Sequence, residues 1–139
     1  MVEMVIVTPL LLMLLIGVAE MGKALIQYNT LNKNLRDAAR LVAGSALLGT
    51  TGTVQIDNAL EADARNLAVY GNILGTGSPT LPLLSAGQIS VTSAANNMIV
   101  VEANYPYVPI VGPVFQTFGT GTDFSLSWTM TAVVTMRAL

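Results

Sequence analysis

With 139 residues, of which 53% are hydrophobic and only 10% charged, the chain has room for one domain and carries far less charge than an ordinary globular protein. Surface so poor in charge has to be covered by lipid or by neighbouring subunits as well as by the chain's own core. A net charge of −2 provides no basic field for nucleic acid, and a composition without Cys or His excludes thiol chemistry, disulfides, Ser-His-Asp triads and imidazole-bound metals.

The first element is apolar. Between Glu3 and Glu20 no residue is charged, and with its flanks up to Lys23 this stretch approaches the roughly 20 residues that cross a bilayer as a helix. A secretory signal peptide would open on cations, but here Glu3 comes first and no cation precedes Lys23. A plain anchor with basic residues only on its C-terminal side would place the rest of the chain in the cytoplasm. The opposite orientation follows if a basic leader precedes Met1 and is cut off after insertion. Glu3 at the edge of an apolar helix is costly to bury unless it meets a cation, and in a helical polymer the α-amino group at Met1 of a neighbouring subunit supplies one. Alternatively, Glu3 simply favours the helix N-terminus through the macrodipole. Pro9 removes a backbone donor and disfavours helix at Thr8, so a kink or an extended turn is expected there. The freed carbonyl is tolerated more readily among packed helices than in lipid.

The helix is expected to run on to about Ala43, with Gly44 as its stop, giving a rod of about 65 Å. Glu20, Lys23, Gln27, Thr30, Asn34 and Asp37 draw a polar stripe. Leu31, Leu35, Ala38 and Val42 form an apolar face suited to a small β domain, and Lys33 and Asp37 make an i,i+4 pair. Gly49–Gly52 reads as loop. A second helix is expected from about Val54 to Tyr70, with Ile56, Leu60, Ala64 and Leu67 inward, Asp57, Glu61 and Arg65 outward, and Gly71 as its cap. The Gly- and Pro-rich stretch 71–87 reads as loop. Ile89–Thr92 and Met98–Tyr105 flank Asn96-Asn97, a pair suited to a hairpin turn. Tyr105 to Pro113 holds three prolines, which confine it to an edge or a loop. Phe124 to Arg137 alternates apolar and hydroxyl side chains and reads as one long strand. The fold class is α+β. Residues 1–24 are the apolar membrane or filament-core half of the helix. Residues 25–139 are a head made of its rear half, the second helix and a three- or four-stranded antiparallel sheet over about 88–137.

The segment VEMVIVTPLLLMLLIGVAEMGKALIQYNTLNKNLRDAARLVA resembles the N-terminal signature of TadE-like pilins of the tight-adherence branch of type IV pili. The similarity rests on Val2-Glu3, the Pro9-led leucine run, Gly17 with Glu20, Gly22 to Leu25, Tyr28-Asn29 and Ala38 to Arg40. It is looser downstream, at Tyr105-Pro-Tyr and the closing Met136-Arg-Ala. The resemblance implies a prepilin that resides in the inner membrane, is cut by a dedicated prepilin peptidase, and is extracted by the pilus assembly machinery. It then packs through Leu10, Leu11, Leu12, Leu14, Leu15 and Ile16 with other copies or related pilins into a secreted, adhesive filament. Glu3 then corresponds to the family's near-N-terminal glutamate, which usually stands at the fifth mature position.

Three functional classes are weighed on the residues. The first is a filament subunit, either the repeating one or a minor pilin of a tip or initiation complex. The second is a membrane-anchored binding domain, in which Tyr105, Tyr107, Phe115 and Phe118 form an aromatic adhesion loop; the same residues otherwise fill subunit contacts or cap the sheet. The third is an enzyme. Its best candidates are Asp57, Glu61 and Asp63, which read more simply as the solvated side of a helix, and Gly119–Gly121, which is too short for a phosphate loop. No catalytic constellation emerges, and no cofactor is expected.

Overall fold

The computed structural model describes residues 2–47, 54–115 and 124–138. Helix α1 spans Val2–Ser45, about 66 Å of unbroken rod. It runs through Pro9 instead of opening into an extended turn at Thr8. The Thr8 hydroxyl donates to the Met4 carbonyl at 2.6 Å, binding the side chain back onto the turn that Pro9 weakens. At its far end α1 passes through Gly44, the expected stop, and reaches Ser45. The Ala46 amide still donates to Val42 at 2.8 Å, and Leu47 then bridges to Val54.

Helix α2 spans Asn58–Tyr70, four residues shorter at its start than the apolar periodicity suggests. Asp57 explains the difference. It is the N-cap, with extended backbone and a carboxylate that accepts from the Leu60 amide at 2.7 Å, so Val54 to Ile56 stay outside the helix. Gly71 closes the other end in the left-handed conformation (φ 72°), and its amide donates to Leu67 at 2.9 Å. The loop after it is held by side chains. Asn34 of α1 donates to the Thr80 hydroxyl, which in turn donates to the Val69 carbonyl.

After a short 3₁₀ turn (Ala86–Gln88) come β1 (Ile89–Ala94) and β2 (Met98–Pro106), joined by a turn in which Asn96 and Asn97 take φ of 61° and 57°. These positive angles are what a tight hairpin demands. Strand β5 (Thr129–Arg137) pairs with β2, giving an antiparallel sheet in the order β1-β2-β5. Two expectations change here. Tyr105 and Pro106 do belong to the central strand. However, β1 begins opposite Ala103, so beyond that point β2 has only β5 beside it. The Tyr107 amide donates to the Trp128 carbonyl at 2.9 Å, and since amides alternate sides, the donor that Pro106 lacks faces the empty side. The long closing strand is also divided. Phe124–Ser125 (β4) leaves the sheet to pair with Val114–Phe115 (β3), and 126–128 form a connector whose Leu126 amide donates to the Pro113 carbonyl at 2.9 Å.

The sheet packs against the rear half of α1. Leu31, Leu35, Ala38 and Val42 are fully buried, as their spacing requires, and meet Ala64, Ala68 and Val69 of α2 together with Ile89, Ile99, Val101 and Ala132 of the sheet. Hydroxyl residues at 129, 131 and 135 face away from this core. Among the described residues the ion pair is Arg65 to Glu61, at 2.5 Å. The expected Lys33–Asp37 pair does not form, consistent with the few tenths of a kcal/mol such a pair contributes.

Candidate functional site

The front of α1 is bare. Leu10, Leu11, Leu12, Leu14 and Leu15 are between 53% and 67% exposed, and Ile16 is half-buried. By length and composition α1 can cross a membrane, and almost none of its apolar window is buried within the subunit. Burying one such leucine elsewhere is worth about 1.5–3 kcal/mol, so the run is a strong drive toward lipid or other chains. Met1 and Phe118 lie outside the described residues, as do the loop at 49–52 and Gly119–Gly121. Glu3 lies in α1 and Phe115 in β3, but the description does not extend to their side chains.

The transition from bare to packed helix is marked by Glu20. The polar stripe read from the sequence does not all face water: Glu20 and Gln27 are each 6% exposed and fall on the same face as Leu31 and Leu35. The Glu20 carboxylate is taken up by residues 107–111. The Tyr107 hydroxyl donates to Oε2 and lies 3.1 Å from the Glu20 carbonyl oxygen, while the amides of Ile110 and Val111 donate to Oε1 at 2.6 and 3.1 Å. One carboxylate thus satisfies three donors of a proline-bounded loop that has no sheet partner of its own. Tyr107 is held from its other side by Trp128, with ring centroids 4.4 Å apart and planes 17° from parallel. This latch fixes the head to the helix at the first charged residue after the uncharged run.

Tyr105 and Tyr107, expected in an interface or adhesion loop, are therefore interior residues, 0% and 3% exposed. The reason is alternation: both lie on the inward face of β2 and its extension, in line with Val101 and Ala103. The Tyr105 hydroxyl and Gln27 Oε1 are buried without a protein partner among the described residues. The sequence reading missed the role of Glu20. Its only signals were the seven-residue spacing to Gln27 and the further four to Leu31, which put a carboxylate on the core face.

Burial pushes the Tyr107 hydroxyl above its ordinary value of 10.0, and the hydrogen bond to Glu20 and the charge of that residue push it further. The folded state thus favours the neutral phenol. The stability this contributes is complete below pH 10 and is lost as pH climbs from there toward the raised value. Thermal unfolding of Tyr107→Phe should consequently lose less stability above pH 10 than the parent does, and parallel pH profiles would refute the coupling. Burial alone raises Tyr105 as well.

Two of the three acidic candidates have structural occupations: Asp57 caps α2 and Glu61 pairs with Arg65. Among the described residues no group of three or more acidic side chains is placed to hold a metal ion.

Glu20 also sets where the chain can be cut. Deleting residues 1–17 keeps the latch, whereas deleting 1–21 leaves the Ile110 and Val111 amides and the Tyr107 hydroxyl without their acceptor. The shorter deletion is expected to give the more stable soluble head, by about 2–3 kcal/mol; equal urea midpoints for the two fragments would show that the latch contributes nothing.

The fold and site define a small α+β head on a membrane-length helical stalk. Residues 1–40 of that stalk match the family model described as TadE-like protein. The match covers most of the stretch Val2 to Ala43 over which the resemblance was read, and of the latch it includes Glu20. No curated protein and no solved structure matches the chain.

Proposed function

We propose that this chain is a structural pilin subunit of a Tad-type, type IV-like pilus. Its apolar helix half is held first in the inner membrane and then in the core of an extracellular filament used in surface attachment. The observation that supports this most directly is the bare leucine run on a TadE-like helix joined to a folded head through the Glu20 latch. A subunit with so much apolar surface at one end, and a packed core at the other, is suited to assembly with copies of itself or related pilins. Residues 1–24 act as the assembly half and 25–139 as the displayed head, with Pro9 marking a bend in the packed helices. Processing by a prepilin peptidase and extraction by an assembly motor belong to the same reading, and no catalytic role is proposed.

Quantitative mass spectrometry of purified surface filaments tests it. The chain should be their most abundant protein; trace amounts would make it a minor pilin, and absence would remove it from the filament. Within this scheme Glu3 pairs with the α-amino group of a neighbouring subunit. Glu3→Ala should leave the protein in the membrane fraction while filament yield falls about tenfold or more, the loss expected when a buried cation keeps no partner. Unchanged yield would dispose of that pairing.

A further inference from the structure

The base of the head reaches below the point where the uncharged run of α1 ends. Leu126 and Trp128 face Met13, Ile16, Gly17 and Met21 across an apolar groove of about 460 Å³. Met13 lies seven residues before Glu20, roughly 10 Å down the helix. On the latch itself, Ile110 and Val111 give their amides to Glu20 and leave their side chains 57% and 47% exposed, and Trp128 is 46% exposed. Exposed apolar groups thus cluster at the end of the head nearest the bare helix.

Helix length decides what covers them. The uncharged run Met4 to Ala19 is sixteen residues, about 24 Å, which falls short of a hydrocarbon layer of about 30 Å. Glu20 would normally close the span, but its charge is already taken up inside the subunit. The next charge is Lys23, whose ammonium extends outward on a flexible stem. A boundary at Lys23 gives a span of nineteen residues from Met4 to Gly22, about 28 Å, which matches the layer. At that depth the helix from Met13 to Met21 is inside the membrane, and the residues flanking it meet the headgroup region, where Trp and Tyr are favoured.

We propose that, while α1 spans the membrane, the base of the head (Ile110, Val111, Leu126 and Trp128) is seated in the interfacial layer of the phospholipid bilayer. The proposal rests on the membrane-inserted stage of the function above. The hydrogen bonds that solvate the Glu20 carboxylate inside the subunit are what permit it. The latch fixes the depth, so the head rests on the membrane and does not swing free above it.

Trp128 is the chain's one tryptophan and reports its own position. The full chain is reconstituted in vesicles of phosphatidylcholine and phosphatidylglycerol, with bromine carried either near the glycerol end or near the middle of the acyl chain. Emission should shift to the blue, shallow bromines should quench more than deep ones, and iodide in the water should quench severalfold less than it does free indole. Trp128→Phe combined with Ile110→Trp should behave alike. Trp128→Phe combined with Ala95→Trp places the reporter beyond the far end of β2, about 30 Å away, and should be open to iodide and indifferent to bromine. A chain that resists carbonate extraction yet leaves Trp128 open to iodide and untouched by bromolipid overturns the proposal and leaves the membrane-spanning reading standing. A chain that carbonate washes out overturns both. Protection that fades as protein is diluted into excess lipid would assign the surface to a second copy of the chain, and the proposal would again fail.

Discussion

Glu20→Ala is expected to lower the unfolding free energy of the head by about 2–4 kcal/mol, because it strands a buried phenol and two backbone amides at once. For a head of this size that corresponds to a fall in Tm of about 10–15 °C, followed by circular dichroism on the full chain in detergent. Two companions separate the terms. Tyr107→Phe removes one donor and leaves the carboxylate held by the Ile110 and Val111 amides, so about 1–2 kcal/mol should be lost. Glu20→Gln keeps an oxygen for the amides and gives up the charge, so it should fall between Tyr107→Phe and the parent. A Glu20→Ala protein that melts within a degree or two of the parent would show that residues 107–111 satisfy their donors in another way. The site would then be surface decoration.

The second large effect is expected at Leu12, on the bare half of α1. Leu12 is 53% exposed in the subunit, so Leu12→Asp breaks nothing within the fold, and the melting of the head should not move. Its cost appears only when the helix is covered. An aspartate at the middle of a spanning helix adds about 3 kcal/mol to insertion, and among packed helices it is a buried charge without a partner. Membrane-bound protein should fall, and filaments should be absent from the cell surface. Leu12→Ile, which keeps the apolar surface, should assemble normally. Filaments at parental yield from Leu12→Asp would mean that this stretch of helix does not lie in the filament core. The two variants are complementary: Glu20→Ala weakens the head and leaves the bare helix intact, while Leu12→Asp does the reverse.

Much of the architecture is legible from periodicity, because burial is decided locally wherever a helix or strand has one greasy side. The buried set Leu31, Leu35, Ala38 and Val42, the Asn96-Asn97 hairpin and the Gly71 cap each follow from spacing or backbone preference. Where the reading failed, a competing local cap or a distant partner had won. The start of α2 depends on which residue turns its carboxylate back onto the Leu60 amide, and Asp57 does so. The alternation from Phe124 to Arg137 is that of a single strand, yet the chain leaves the sheet because Leu126 pairs with Pro113 and Trp128 stacks on Tyr107.

A long helix with an uncharged front and an α+β head behind it are legible in the residue order alone. Those properties are set by composition and by repeats of two and 3.6 residues, which act over a few neighbours. Which way Glu20 faces, and that the base of the head lies alongside the bare helix, are settled by tertiary contacts. The Glu20 latch and the groove at the base of the head depend on residues about ninety or more positions apart meeting. A carboxylate in a helical stripe carries no local mark of whether water or a distant tyrosine will satisfy it.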